Sequence, residues 1–167
     1  MRYELARHEV AGHGLSPHMS ARPSAPDRSA FKIYRPITLR WMDNDVFGHV
    51  NNVTYYSFFD TVVCGHLIEC RVFHATDNPI IGVVVESSCT YFSSVAFPDQ
   101  IEGALAVDRV GNSSVQYRLG VFLEGAETAS ATGTFTHVYV DRESRRPVPL
   151  PDDLRSVVEA LKSSTSA

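Results

Sequence analysis

Several features that would assign a role at once are missing from this 167-residue chain. No apolar run approaches the roughly 20 residues that span a bilayer. Residues 1–14 hold no continuous apolar segment of the kind a secretory signal carries. Neither membrane insertion nor export is therefore expected. Cysteine is scarce: Cys64, Cys70 and Cys89 fit neither a disulfide framework nor a metal-ligand spacing. The first two fall in one apolar stretch, on nearly opposite sides of a helix, and are expected as reduced core residues of a cytoplasmic protein. An excess of basic residues is absent too. The net charge is -4, which gives nucleic-acid binding no electrostatic support. The chain has no phosphate-binding Walker loop, no G-x-G-x-x-G, no G-x-S-x-G elbow and no H-E-x-x-H. No cofactor is expected on that basis. There is no internal repeat and no sign of a second domain, and the length suits one domain with a real core.

What is present is concentrated in residues 40–70. The first part, RWMDNDVFGHVNN, is polar and turn-forming, and the second, VTYYSFFDTVVCGHLIEC, is apolar and free of Gly and Pro until Gly65. At helical spacing Tyr55, Phe59, Val62, Val63 and Leu67 make one stripe, which Tyr56, Phe58 and Ile68 widen. A helix apolar on nearly every side is expected to be wrapped by the rest of the chain.

Residues 1–29 read as a disordered leader rich in Ser, Pro, Gly and His; Met19 is a possible alternative start, and His8, His13 and His18 read as solvated tail residues. The folded domain is expected over 30–162, with a flexible end at 163–167. A first strand is placed at 31–41, with Pro36 marking an edge or bulge. Four more follow the helix. Residues 80–92 are rich in Ile, Val, Thr and Tyr, and Val83, Val84 and Val85 read as buried on both faces. Residues 101–108 alternate, as do 115–124 after a hairpin signal at Gly111-Asn112, and a last strand covers 128–140. These consecutive strands are expected to form an antiparallel meander. A short helix from Pro151 to about Leu161 closes the chain, with Asp152 and Asp153 at its positive end. The inventory gives an α+β fold, one antiparallel sheet curved around a central helix. Its two open edges invite pairing with a second copy, so a homodimer or homotetramer is expected.

Asp45 is the leading candidate for chemistry. It precedes the helix by about seven residues, and Gly48 between them permits a tight reversal. The reversal brings the carboxylate back toward unpaired N–H groups carrying about +0.5 charge. Such donors can hold a carbonyl oxygen as it becomes an oxyanion, while the carboxylate attacks or activates water. The plainer role for Asp45 is to cap a turn. Asp43 competes with it, through a D-x-D pair that could hold Mg²⁺ or through simple pairing with Arg40. Asn51 and Asn52 read first as helix caps and then as substrate-orienting groups. His49 is either a proton shuttle or a packed loop residue. Asp60, alone on an apolar helix, is a second candidate base or a ligand-orienting group. Ser114 reads as a turn residue before a phosphate contact. The basic cluster of Arg142, Arg145, Arg146 and Arg155 reads as solvated surface before an anion site.

With these residues laid out, the chain resembles the hotdog-fold acyl-CoA thioesterases of the 4-hydroxybenzoyl-CoA thioesterase-like group. The resemblance covers about 33–155 and is carried by RWMDNDVFGHVNNVTYYSFFD, YFSSVAFPDQIEG, RVGNSSVQYRLGVF and HVYVDRESRRPVPLPDDLR, in order. It implies a sheet wrapped round the long helix, two chains pairing their sheets, and active sites at the interface. The reaction implied is hydrolysis of an acyl-CoA to free acid and CoA, with Asp45 as the catalytic base or nucleophile. The N–H at the helix start near Asn52 would polarise the thioester carbonyl. Tyr55 would line the acyl site, and Arg109 or the pair Arg145 and Arg146 would meet the CoA phosphates. Gly48, His49, Asn51, Tyr55, Asp60, Arg109 and Ser114 are thus the candidate substrate contacts. The chain departs from the group in FPDQ, which replaces a Gly-Asp turn. It also lacks the glycine pair that another hotdog branch carries near a helical Glu, which argues against Asp60 as the main catalyst. Hydrolysis of acyl groups on a carrier protein, and acyl-thioester binding without turnover, remain as alternatives.

Overall fold

The computed structural model describes residues 23–74 and 76–162. The leader histidines, Met19 and the expected flexible C-terminus lie outside the described residues.

The apolar stretch forms helix α1, Thr54–Glu69. Five strands form one antiparallel sheet: β1 (Ile33–Ile37), β2 (Ile80–Tyr91), β3 (Ile101–Val110), β4 (Ser114–Leu123) and β5 (Ala131–Asp141). A second helix, α2, covers Asp152–Ala160. The spatial order is β1-β3-β4-β5-β2. The expected four-strand meander is therefore only three strands long. β2 does not pair with β3, the next strand in sequence. It crosses to the far edge and pairs with β5, from Ile80 opposite Asp141 to Tyr91 opposite Ala131. Residues 92–100, which carry Pro98 and Asp99, make that departure rather than a hairpin. The expected hairpin at Gly111-Asn112 does form, closed by the Gly111 N–H on the Ser114 carbonyl at 2.7 Å.

One side of α1 seats on the sheet. Tyr55, Phe58, Phe59, Val62, Val63 and Leu67 are buried against Leu105, Tyr117, Leu119, Val121 and Phe135. Each such side chain removed from water contributes roughly 1.5–3 kcal/mol. The seat depends on two glycines. A Cβ on Gly103 of β3 would overlap Val62 and Ile37, and one on Gly133 of β5 would overlap Phe59 and the Ser88 carbonyl. Gly133→Ala is therefore expected to cost about 1–3 kcal/mol through overpacking, read as a lower urea midpoint at unchanged slope. An unchanged midpoint would mean that the helix is not held this close.

The helix is not wrapped on every side. Ser57, Asp60, Thr61, Ile68 and Glu69 are exposed, Ile68 at 49%, so Ile68 does not extend the buried stripe. Cys70, just beyond the helix, is exposed as well, and Cys64 and Cys89 are half-buried, so none is a full core residue; all three are free thiols. Val83, Val84 and Val85 are also exposed, against the expectation of burial on both faces. The reason is position: β2 is an edge strand, with a bulge between Val84 and Glu86.

Residues 26–31 lie on the sheet face away from α1. Phe31 packs with Ala104, Ala106, Phe122 and Ala129. The Arg28 guanidinium stands 4.3 Å over the Tyr34 ring and pairs with Glu102. Residues 23–29, read in sequence as part of the leader, thus include side chains packed on the domain. At the other end α2 packs Leu154 and Val158 against the core, and the Val107 N–H donates to the Leu161 carbonyl.

Candidate active site

The polar half of the central stretch folds into a closed loop. Asp43, only 2% exposed, is its brace. One carboxylate oxygen accepts the Arg40 N–H at 2.7 Å and the other the Arg40 Nη2 at 2.8 Å. The bonds from the Arg40 side chain hold the Asp43 carboxyl below the usual carboxylate range, against the opposing effect of its burial. Its backbone carbonyl accepts the Asn51 N–H. Asp43 is thus committed to structure, as its pairing with Arg40 suggested, and no group of His, Cys, Asp and Glu able to hold a metal occurs among the described residues.

Beyond the brace the chain reverses. The Asp45 N–H donates to the His49 carbonyl at 2.9 Å, and the Gly48 N–H donates to the Asp45 carbonyl at 3.1 Å. Gly48 has φ +80, a conformation that glycine adopts without a steric penalty. One Asp45 carboxylate oxygen accepts the Phe47 N–H at 2.8 Å, and no other hydrogen bond to the carboxylate occurs within the described residues. The loop is pinned to the body by Val50 N–H on the Val95 carbonyl and by Phe97 N–H on the Asn44 side chain.

The helix entry follows at once. The Asn51 side-chain oxygen accepts the Val53 N–H, and its carbonyl accepts the Thr54 N–H. Asn51 thus closes the turn that leads into the helix, whose N-cap position is Val53. The Asn52 N–H, one position on in an exposed residue at the positive end of α1, makes no hydrogen bond among the described residues. The Asn52 carbonyl accepts the Tyr91 hydroxyl at 3.1 Å.

Two clefts meet at Asn52. One, of about 760 Å³, is lined by Trp41, Asn44, Asp45, Phe47, Gly48, Asn51 and Asn52. The other, of about 270 Å³, is lined by His49, Asn52, Tyr55, Tyr91, Phe92 and Ser93. Burial pushes the Tyr55 phenol up to about 12 and keeps it neutral. Asp45, Gly48, His49, Asn51, Asn52 and Tyr55 are thus brought together, as their nearness in sequence suggested.

The remaining candidates go elsewhere. Asp60 sits on the open side of α1 and lines neither cleft; loss of solvent around it raises its carboxyl. Arg109 and Ser114 meet instead in a depression of about 150 Å³ with Glu86, Gln116 and Thr136. Gln116 and Thr136 alternate with the core residues Tyr117 and Phe135, so this depression opens on the sheet face away from α1. Arg145 and Arg146 are exposed in the turn after β5 and line neither cleft.

Trp41, Phe47 and Tyr91 were not legible as site residues. Trp41 and Phe47 are each 81% exposed, and Trp41 lies edge-on to Phe97 at 6.1 Å. Two bulky aromatics in an otherwise polar loop were the available signal. Tyr91 offered none, because its contacts with Asn52 and Tyr55 are purely tertiary.

Residues 39–158 match the thioesterase-like superfamily. The chain is 53% identical to the PA5185 protein of Pseudomonas aeruginosa strain PAO1, whose crystal structure superposes with a TM-score of 0.83 over 84% of this chain and 99% of that one. The uncharacterized protein YsmA of Bacillus subtilis (strain 168) is 27% identical over 127 residues, 75% of this chain and 84% of its own length. Slr0204, a 1,4-dihydroxy-2-naphthoyl-CoA thioesterase from Synechocystis, is 14% identical with a TM-score of 0.70, over 77% of this chain and 96% of that one. At that identity the likeness speaks for the fold.

Proposed function

The chain belongs to the thioesterase-like superfamily and has its hotdog fold, and from that premise we propose that it hydrolyses an acyl-CoA to the free acid and CoA. The observation that carries this reading is that Asp45 and Asn52 line one cleft at the positive end of α1, with the Asn52 N–H making no hydrogen bond among the described residues. The thioester carbonyl oxygen accepts the Asn52 N–H and gains negative charge there as the carbonyl carbon is attacked. A donor of this kind is worth roughly 2.7–4 kcal/mol of barrier. Asp45 has one carboxylate oxygen held by the Phe47 N–H, and the other makes no hydrogen bond among the described residues. It takes a proton from attacking water, or attacks first and yields an anhydride that water then cleaves. In either course the C–S bond breaks, the CoA thiolate leaves and is protonated, and water supplies the hydroxyl of the acid. Gly48, His49, Asn51 and Tyr55 shape the walls around the reacting group.

The functional unit we assign is a dimer. The open edge of β2 and its exposed Val83, Val84 and Val85 suit pairing with β2 of a second copy, continuing the sheet. The three free cysteines suit a cytoplasmic location. Among the described residues, no helix is long and apolar enough to cross a membrane.

The reading is tested by measuring thiol release from a panel of acyl-CoAs and acyl-carrier proteins. Release from acyl-CoAs is the expected result. Turnover confined to carrier-bound acyl groups would reassign the substrate, and acyl-CoA binding without release from any thioester would make the protein a binding module.

A further inference from the structure

The far end of α1 carries a cavity that takes no part in the site above. It holds about 260 Å³, and its walls come from the end of α1, residues 71–74 and 78–80, the end of β5 and the first turn of α2. Leu67, Val72, Phe73, Ile80 and Leu154 make it mainly apolar. Tyr139 adds its ring, since its hydroxyl is already joined to that of Tyr117 at 2.8 Å. The rim is fixed by hydrogen bonds. The Asn78 side chain accepts the His74 N–H at 3.1 Å and donates to the His74 carbonyl at 2.6 Å. Arg142 Nε in turn donates to the Asn78 carbonyl at 2.6 Å. The 16 residues of α1 put about 24 Å between this cavity and the cleft at Asn52.

Arg71 lines the cavity and has φ +58. This is the position just past a helix end where glycine is the usual residue, because a side chain there is strained. The helix end itself does not need the guanidinium. Its last carbonyls, those of His66, Leu67 and Ile68, already accept the N–H groups of Cys70, Val72 and Arg71. The Arg71 side chain meets no acidic partner among the described residues, and Glu69, the nearest carboxylate in sequence, is taken by Arg35. Asp153 is the one carboxylate in the lining, and one of its oxygens holds the Leu154 N–H at 2.7 Å. A strained, unpaired cation on the wall of an apolar cavity fits a ligand with an apolar body and one negative end.

We infer that this cavity binds a small apolar monocarboxylate, with Arg71 holding the carboxylate and the apolar walls holding the body. Its volume lies just under the roughly 300–1,000 Å³ of sites for drug-sized ligands, so the occupant is a short-chain or single-ring acid. The site is separate from the thioester cleft and does not depend on what that cleft does. The Asp153 carboxylate repels such a ligand, so its removal and that of the Arg71 guanidinium act in opposite directions.

The test is titration of the full-length protein at neutral pH with butanoate, with hexanoate, and with hexylamine as the cationic counterpart, read by calorimetry and by NMR. Hexanoate is expected to shift the amide signals of Val72, Phe73 and Leu154. It is expected to bind about tenfold more tightly than butanoate, the effect of burying two more methylenes. Trp41, the single tryptophan of the chain, lines the cleft at the other end, so its indole signal reports an acid bound there instead. Arg71→Gly relieves the backbone and deletes the guanidinium. That variant is expected to melt close to wild type and to bind hexanoate about tenfold more weakly or worse. Arg71→Lys keeps the charge and is expected to keep most of the affinity. Asp153→Asn is expected to tighten hexanoate binding by about twofold to fivefold. Shifts confined to Trp41 and Asn52, equal binding of hexylamine, or full affinity in Arg71→Gly would each overturn the inference. Absence of binding by either acid at millimolar concentration would overturn it as well.

Discussion

Asp45→Asn is expected to lower kcat on the best acyl-CoA by about 10²–10⁴-fold, the range that a positioned acid–base group supplies. The replacement keeps the shape of the side chain and an oxygen to accept the Phe47 N–H, so the loop should hold its form. What it removes is the charge and basicity at the open oxygen. A group that acts only in the transition state lowers kcat and kcat/KM together and leaves substrate affinity in place. Binding of a non-hydrolysable acyl-CoA thioether should therefore be unchanged within about twofold, and the melting temperature should move little. Asp60→Asn supplies the contrast. Its carboxyl lines neither cleft, so activity should remain near wild type. The reverse pattern, with Asp60→Asn inactive and Asp45→Asn unaffected, would move the chemistry onto the exposed side of α1.

The second large effect concerns stability. His137 lies on the helix-facing side of β5 and is only 6% exposed, and its Nε2 has no hydrogen-bond partner among the described residues. The rings around it are those of Tyr117, at 5.1 Å, Phe135 and Tyr139, and none carries a compensating charge. Burial pushes the imidazole down to about 4. In the unfolded chain it titrates near 6.5, so between these values the unfolded state binds the proton and the folded state does not. The stability His137 carries as a neutral ring is complete above about pH 6.5 and is lost as the pH falls toward 4, by roughly 3 kcal/mol in all. His66 is lowered by its own burial and adds a drift of the same sign, so the comparison must be between variants. Urea unfolding at pH 7 and pH 4.5 should show a steep loss for wild type and a shallower one for His137→Phe. Parallel losses in the two proteins would show that the imidazole is not held neutral.

What could be read in the sequence was local. Asp45, Gly48, Asn51 and Asn52 lie within one turn of chain and the helix start, so spacing alone brings them together. The span of α1 was legible because its 16 residues are free of proline and hold glycine only near the end. Partners distant in the chain were not legible. Val83, Val84 and Val85 look the same in sequence whether a strand lies at the centre or the edge of a sheet, and only the pairing of β2 with β5 decides it. Arg109 follows from the family resemblance alone, and Ser114 reads first as a turn residue and second as a phosphate contact. The alternation of β3 and β4, with a bulge between Val107 and Arg109, delivers them to the face away from α1. Tyr91 was missed because a tyrosine ending a strand is ordinary until another segment supplies the carbonyl that its hydroxyl meets.

The crossing of β2 to the far edge also orders events during synthesis. Ile80 leaves the ribosome well before Asp141, the residue it must face. At about 5–20 residues per second, the most apolar strand in the chain waits several seconds for β5. Pairings between segments so far apart are slow to close as well. During that wait Ile80–Val85 is an unclaimed ribbon, and another nascent chain offers the same surface. The strand proposed above as the joint between two copies is, in a newborn chain, an apolar segment open to pairing with the wrong partner.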